Sequence, residues 1–286
     1  VLVIKKKKIK RMNKIIVPVD FSDTSKNAAL YAARVAEALN ASLTLINIME
    51  PLTAGIDGSP LSDDTDGRKK ITELALDNVK LSITESVPAI PVSYIAEENS
   101  SLIESLKKII ADQHADLVIM GITGNSLAER IVIGSNTINI VHENVCPVLI
   151  VPPFASYKEI KKILFATDFK NVDESTPLNY IKEVMEAFKS ELYVVNVDSD
   201  HTIEQSEEFK IQKARMETLL SGYTTSYHFI KQDDFTEAIS QFSADNQIDL
   251  ILIMPRKHSF LSTIFTGSHT RQLAYHSHVP ILAIHE

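Results

Sequence analysis

The chain has 286 residues, which suits one large domain or two of ordinary size, and 44% of them are hydrophobic, enough for genuine cores. A formal net charge of −8 speaks against general affinity for nucleic acid. No apolar run is long enough to span a membrane, the single cysteine excludes an internal disulfide, and no secretory signal is evident, so a cytoplasmic protein is expected.

Residues 1–11 form a basic arm, with Lys5 to Lys8, Lys10 and Arg11 ahead of Met12. Either Met12 is the natural start and the arm is upstream read-through or disordered, or the arm anchors the protein to anionic surfaces. Lys14 to Asp20 (KIIVPVD) reads as an apolar strand. Ser25 to Leu39 reads as a helix, with Ala29, Ala32, Ala33, Ala36 and Leu39 along one stripe and Ser22 or Asp23 available as its cap. Ser42 to Met49 is a second strand. The Pro, Gly, Asp and Ser-rich stretch from Pro51 to Asp66 is too long for a simple connection and is either a lid or a surface loop. A helix over Arg68 to Glu85, a strand over Pro91 to Ala96 and a helix over Ser101 to Gln113 follow.

Leu117 to Met120 is a continuous apolar run, as expected of a strand buried on both faces, and it stops at Gly121. Gly124 comes next, then Gly134-Ser135, which opens a helix with apolar residues at Ile138, Val141 and Val145. Cys146-Pro147 ends that helix and Val148 to Val151 is a short last strand. Glycines at a strand end let backbone approach a bulky group, and a helix N-terminus offers free N–H groups to an anion. The Ser135 hydroxyl can cap the helix or bond a phosphate oxygen. Tight turns alone would place the same glycines, so spacing leaves both readings open.

The second half repeats the first. Ile163–Phe169 answers Ile15–Phe21, and Glu191–Val197 answers Ser42–Ile48. Ile248–Met254 answers Ala115–Gly121, and Gly267–Leu273 answers Gly134–Ile140. His278–Ile284 answers the strand after Cys146, with Pro152, Pro153 and the following Phe-Ala-Ser as the linker. Strands alternating with helices, written twice, predict two α/β units with parallel sheets and helices on both faces.

Gly121, Gly124, Gly134 and Ser135 have the spacing Gly, two residues, Gly, nine residues, Gly, Ser, and Asp20 is followed by FSDTS. On these residues the chain resembles a tandem universal stress protein, two such domains in one polypeptide. The resemblance implies two Rossmann-like domains, each a five-stranded parallel sheet of order 3-2-1-4-5 flanked by helices. They span 12–153, the nucleotide-binding copy, and 158–286, a copy with a degenerate motif. It also implies an internal pseudo-dimer of the two domains, paired through their last strands, and a homodimer of chains.

The same resemblance implies an ATP site at the carboxyl ends of the first-half strands. Pro18, Val19 and Asp20 would contact adenine or ribose, and Ile48 would line the adenine pocket. Gly121, Thr123 and Gly124 would border ribose and phosphates. Gly134, Ser135, Asn136 and Thr137 would hold the phosphate chain. A Mg or Mn ion would arrive with the phosphates rather than in a protein cage. The implied role is a nucleotide-dependent stress-response or signalling module, non-catalytic or at most a slow ATPase. A nucleotide-free scaffold is the alternative, as is a second domain that holds another small ligand or a metal.

Aligning Gly134 with Gly267 sets Met254 opposite Gly121 and Lys257 opposite Gly124. The second copy thus keeps Gly267-Ser268 and drops the two earlier glycines, which suggests that the fold does not require them and that this copy does not bind ATP in the same manner. Asp20 and Asp168 both end a first strand, where a helix-capping role competes with ligand contact. Arg130 could reach phosphate or stay solvated. Cys146 aligns with Val279, as a small buried apolar residue would. Seven of the nine histidines fall in the second half without a tight ligand spacing on one helix face. No P-loop, dinucleotide fingerprint, nucleophile elbow or zinc-protease helix is present.

Overall fold

The structure, a computed structural model, describes residues 12–51, 65–122, 135–198, 206–254 and 278–284. The first half runs β1 (Lys14–Pro18), α1 (Asp23–Leu39), β2 (Ser42–Met49), α2 (Thr65–Ser86), β3 (Val92–Glu98), α3 (Leu102–Gln113), β4 (Leu117–Gly121), α4 (Ser135–His142) and β5 (Val148–Val151). The second half runs β6 (Lys162–Ala166), α5 (Val172–Ser175), α6 (Leu178–Phe188), β7 (Glu191–Asp198), α7 (Glu207–Leu219), β8 (Thr225–Lys231), α8 (Phe235–Asn246), β9 (Leu250–Ile253) and β10 (Ile281–Ala283).

Local chemistry sets the helix ends. The Ser22 hydroxyl accepts from the Ser25 N–H and starts α1, and Asn40 closes it in the left-handed conformation. Ser101 caps α3 by accepting from the Glu104 N–H. Asp234 caps α8 by accepting from the N–H groups of Thr236 and Glu237. The buried stripe of α1 is mostly alanine, Ala28, Ala29, Ala32, Ala33 and Ala36, so the helix lies close on the sheet. β4, β5 and β9 are buried along their whole length, as expected of parallel strands covered on both faces.

Each half has the strand order 3-2-1-4-5, but the two do not form separate sheets. They make one ten-stranded sheet, β3-β2-β1-β4-β5-β10-β9-β6-β7-β8. The seam is antiparallel, with Ile281 opposite Ile150, Leu282 opposite Leu149 and Ala283 opposite Val148. Its two faces bury two apolar clusters, and each cluster draws residues from both halves. The linker is tied to α1: Asn27 Nδ2 donates to the carbonyls of Pro152 (3.3 Å) and Ala155 (3.1 Å), and Tyr31 meets Tyr157 edge-on at 5.4 Å.

The repeat extends to single hydrogen bonds. Asp116 Oδ2 accepts from the N–H groups of Asn13 and Lys14, and Asp249 Oδ2 accepts from those of Lys161 and Lys162. Lys14 Nζ donates to the Gln113 carbonyl and Lys162 Nζ to the Asn246 carbonyl. Phe21 and Phe169 both take a left-handed backbone, at φ 63° and 53°. The halves part at the first helix. Where α1 runs 17 residues unbroken, the second copy has the four-residue α5, then Thr176-Pro177, then α6. Proline lacks the N–H that an unbroken helix needs there.

Several boundaries differ from expectation: α1 begins at Asp23, α2 begins at Thr65 inside the stretch read as loop, and β3 runs on to Glu98. β1 stops at Pro18, so Val19 and Asp20 lie beyond the strand, and α4 stops at His142, which leaves Val145 outside the helix and 36% exposed. The stretch 52–64 lies outside the described residues.

Candidate functional site

A cavity of about 190 Å³ opens at the carboxyl ends of β1, β2 and β4, in the crevice where strand order reverses. Seven of the eleven expected positions line it: Pro18, Val19, Asp20, Ile48, Gly121, Asn136 and Thr137. Thr123, Gly124 and Gly134 lie outside the described residues, as does Arg130. Ser135 is the first residue of α4. Thr137, one turn in, is 1% exposed.

Residues that sequence reasoning did not single out complete the lining. Ile46, Leu102 and Met120 supply apolar wall, while Ser25, Asn47 and Glu50 supply polar atoms. Their common signal was position: each sits at a strand end or in the first turn of a helix facing those ends.

Asp20 holds the turn that leads into α1. Its Oδ1 accepts from the Ser22 N–H (3.0 Å) and hydroxyl (2.6 Å). Burial pushes its carboxyl up, but hydrogen bonds from the Ser22 and Ser25 side chains and the Ser22 N–H outweigh this and hold it below the usual carboxylate value. Holding the cap residue Ser22 and lining the cavity are therefore both properties of Asp20, and Ser22 rather than Asp20 is the cap itself. The Ser25 hydroxyl in turn donates to the Ser22 carbonyl at 3.0 Å. On the other rim, Arg68 Nη2 donates to the Glu50 carbonyl at 2.7 Å and Nη1 lies 3.8 Å from the Glu98 carboxylate, which ties the ends of β2 and β3 together.

Gly121 requires a correction. A Cβ built on it lies 2.8 Å from the Thr24 carbonyl oxygen and 3.1 Å from Thr24 Cγ2. The first copy thus needs glycine here to seat the first turn of α1, whether or not a ligand approaches. The inference that the fold can do without Gly121 fails for this half. Met254, at the aligned place in the second copy, is 1% exposed, and there the first helix begins instead as the short α5 with Asn171 at its N-cap.

Among the described residues no group of three or more His, Cys, Asp or Glu side chains is arranged to hold a metal ion. Among them, also, no helix is long and apolar enough to cross a membrane. Cys146 is buried, as its alignment with Val279 led us to expect.

A family model described as the universal stress protein family matches residues 12–152 and again residues 159–285. The chain belongs to the universal stress protein family. A universal stress protein of Methanocaldococcus jannaschii is 28% identical over 151 residues, 48% of this chain and 81% of that protein. The crystal structure of a universal stress protein from Archaeoglobus fulgidus matches with a TM-score of 0.70 at 18% identity, over 96% of this chain and 97% of its own. A functionally unknown protein from Pseudomonas aeruginosa matches at 0.62 and 14% identity, over 96% of this chain and 92% of its own. At these identities the structural likeness carries the fold, and it spans both universal stress protein repeats.

Proposed function

We propose that the first-half crevice binds ATP and that the protein acts as a nucleotide-dependent module in the cytoplasm rather than as an enzyme. The observation that carries this reading is the cavity itself, which brings the ends of β1, β2 and β4 together with Asn136 and Thr137 of α4. Its volume equals about six liquid waters, the scale of a nucleobase rather than of a whole nucleotide. The apolar wall of Val19, Ile46, Ile48, Leu102 and Met120 suits the base. The triphosphate then extends past Gly121 toward the N-terminus of α4, where the helix dipole favours negative charge.

Asp20 and Glu50 on the lining would oppose a bare triphosphate, which favours entry as the Mg or Mn complex. The cation would supply charge neutralisation only. Hydrogen bonds from the Ser22 and Ser25 side chains and the Ser22 N–H outweigh burial and hold the Asp20 carboxyl below the usual carboxylate value, which makes it a weak general base. The second copy, with Met254 in place of Gly121, would leave one nucleotide per chain.

Calorimetric titration of the full chain with Mg·ATP tests this, with one site per chain expected. Leu102→Glu places a carboxylate in the base pocket at a helix start that tolerates acid, and should abolish binding. No heat with the wild type, or equal binding by the variant, overturns the reading.

A further inference from the structure

α2 buries one side and leaves the other bare. Leu76, Val79 and Ile83 lie in the core, whereas Ile71 is 68% exposed, Leu74 67% and Leu81 51%. With Asn78, also exposed, these three make a stripe on the helix face turned away from the sheet. Their spacing is that of a two-stranded helical seam, with Ile71 and Asn78 at its a positions and Leu74 and Leu81 at its d positions. Beside the stripe a groove of about 430 Å³ runs between α1 and α2, lined by Lys26, Leu30, Ala75, Asn78 and Ser82 among others. The second copy does not repeat the stripe. Ile83 and Met216 are both 0% exposed, and in the register that pairs them Leu74, Asn78 and Leu81 answer to Glu207, Ile211 and Ala214.

We propose that this stripe pairs with the same stripe of a second copy of the chain, the two α2 helices lying parallel about a two-fold axis. A β-branched residue at a with leucine at d favours two parallel strands, and a single asparagine at a fixes their register. Asn78 then meets Asn78 of the second copy, and a carboxamide, being donor and acceptor at once, satisfies itself across a two-fold. The charges agree. Lys70 and Asp77 occupy g positions, while the e positions are the uncharged Ala75 and Ser82, so no like charges meet across the seam. Asp77 reaches Ser82 of the other copy, and Lys26 lines the groove beside Ser82. Within one chain Asp77 and that groove lie on opposite flanks of the stripe, so the Asp77–Lys26 attraction acts only between copies. The seam is short, but Leu30 and the groove widen it to the low end of specific interfaces, about 1,200 Å² in total, as suits a reversible dimer. A helix of another protein would match the leucines but not the self-pairing asparagine or the reciprocal charges.

Sedimentation velocity of the full chain, run over a concentration series, tests this. The wild type should pass from monomer to dimer in the micromolar range. Leu74→Glu combined with Leu81→Glu should be monomeric throughout, with the circular dichroism and melting midpoint of the wild type, because both side chains stand largely in solvent. Asp77→Lys should weaken the dimer about fivefold, and adding Lys26→Asp to it should restore the affinity. A wild type that stays monomeric up to about 100 μM overturns the proposal. A dimer untouched by the leucine substitutions does so too, as does a charge swap that fails to rescue. If the leucine variant does not fold, the charge swap decides alone.

Discussion

The backbone of Gly121 and the carbonyl of Thr24 leave no room between them for a methyl group: a Cβ on Gly121 would lie 2.8 Å from that oxygen. The obstructing atom is main chain, so no rotamer change relieves it. Gly121→Ala should therefore destabilise the protein by about 1–3 kcal/mol, the usual penalty of overpacking, and trimming Thr24 to alanine should not restore it. Urea denaturation of the single and double variants reads this out. Loss of nucleotide binding in a Gly121 variant would consequently say little about the ligand, which is why Leu102 is the better probe.

The paired carboxylate clasps give a second expectation. Asp116 and Asp249 each accept two backbone N–H groups from the residues that open β1 and β6. Asp116→Ala and Asp249→Ala should each cost about 0.5–1.5 kcal/mol, since two donors lose a charged acceptor but lie where water can replace it. The Asn variants, which keep an acceptor oxygen, should cost less. Denaturation midpoints that do not move for either alanine variant would remove the clasp from the account of stability.

His228 supplies a pH dependence. It stacks on Tyr193 at 5.6 Å and lies 4.8 Å from Phe242, with Nε2 2.9 Å from the Ser226 hydroxyl. Burial disfavours the charged ring and pushes its pKa below the usual 6.5. The unfolded chain therefore takes up this proton first as the pH falls. The stability is complete above 6.5 and is lost as the pH drops through 6.5 toward the lower folded value. His228→Phe should keep the aromatic stack and flatten that part of the curve. Equal slopes for wild type and variant in urea midpoints measured above and below 6.5 would refute the assignment.

The seam predicts the behaviour of the first half alone. A chain of residues 12–153 would expose β5, whose residues Val148 to Val151 are all buried in the full protein. An unpaired, fully apolar edge is a template for another strand. The isolated half should self-associate, and light scattering that shows a stable monomer at micromolar concentration would contradict this.

Most of the architecture was legible because its signals are local and were written twice. Runs such as Leu117–Met120 and Ser42–Met49 gave strand positions, and Ser22 and Ser101 gave helix starts. The site was legible in part. Glycine spacing pointed to the crevice, but nothing in the pattern singled out Asn47, whose amide donates to the Val19 carbonyl 28 positions away. Gly121 was misjudged for the same reason. Its constraint comes from Thr24, which no pattern around Gly121 can reveal, and the second copy seemed to lift that constraint when it had instead begun its first helix differently.

Because β5 and β10 run in opposite directions, every strand of the first half ends at one rim of the common sheet and every strand of the second half ends at the other. The molecule is therefore bipolar. The cavity beside Asn47 and the corresponding strand ends near Asn196 face away from each other, so the two can share neither a ligand nor a covering segment. Six strands of the common sheet, and the side chains packed on its two faces, lie between these poles.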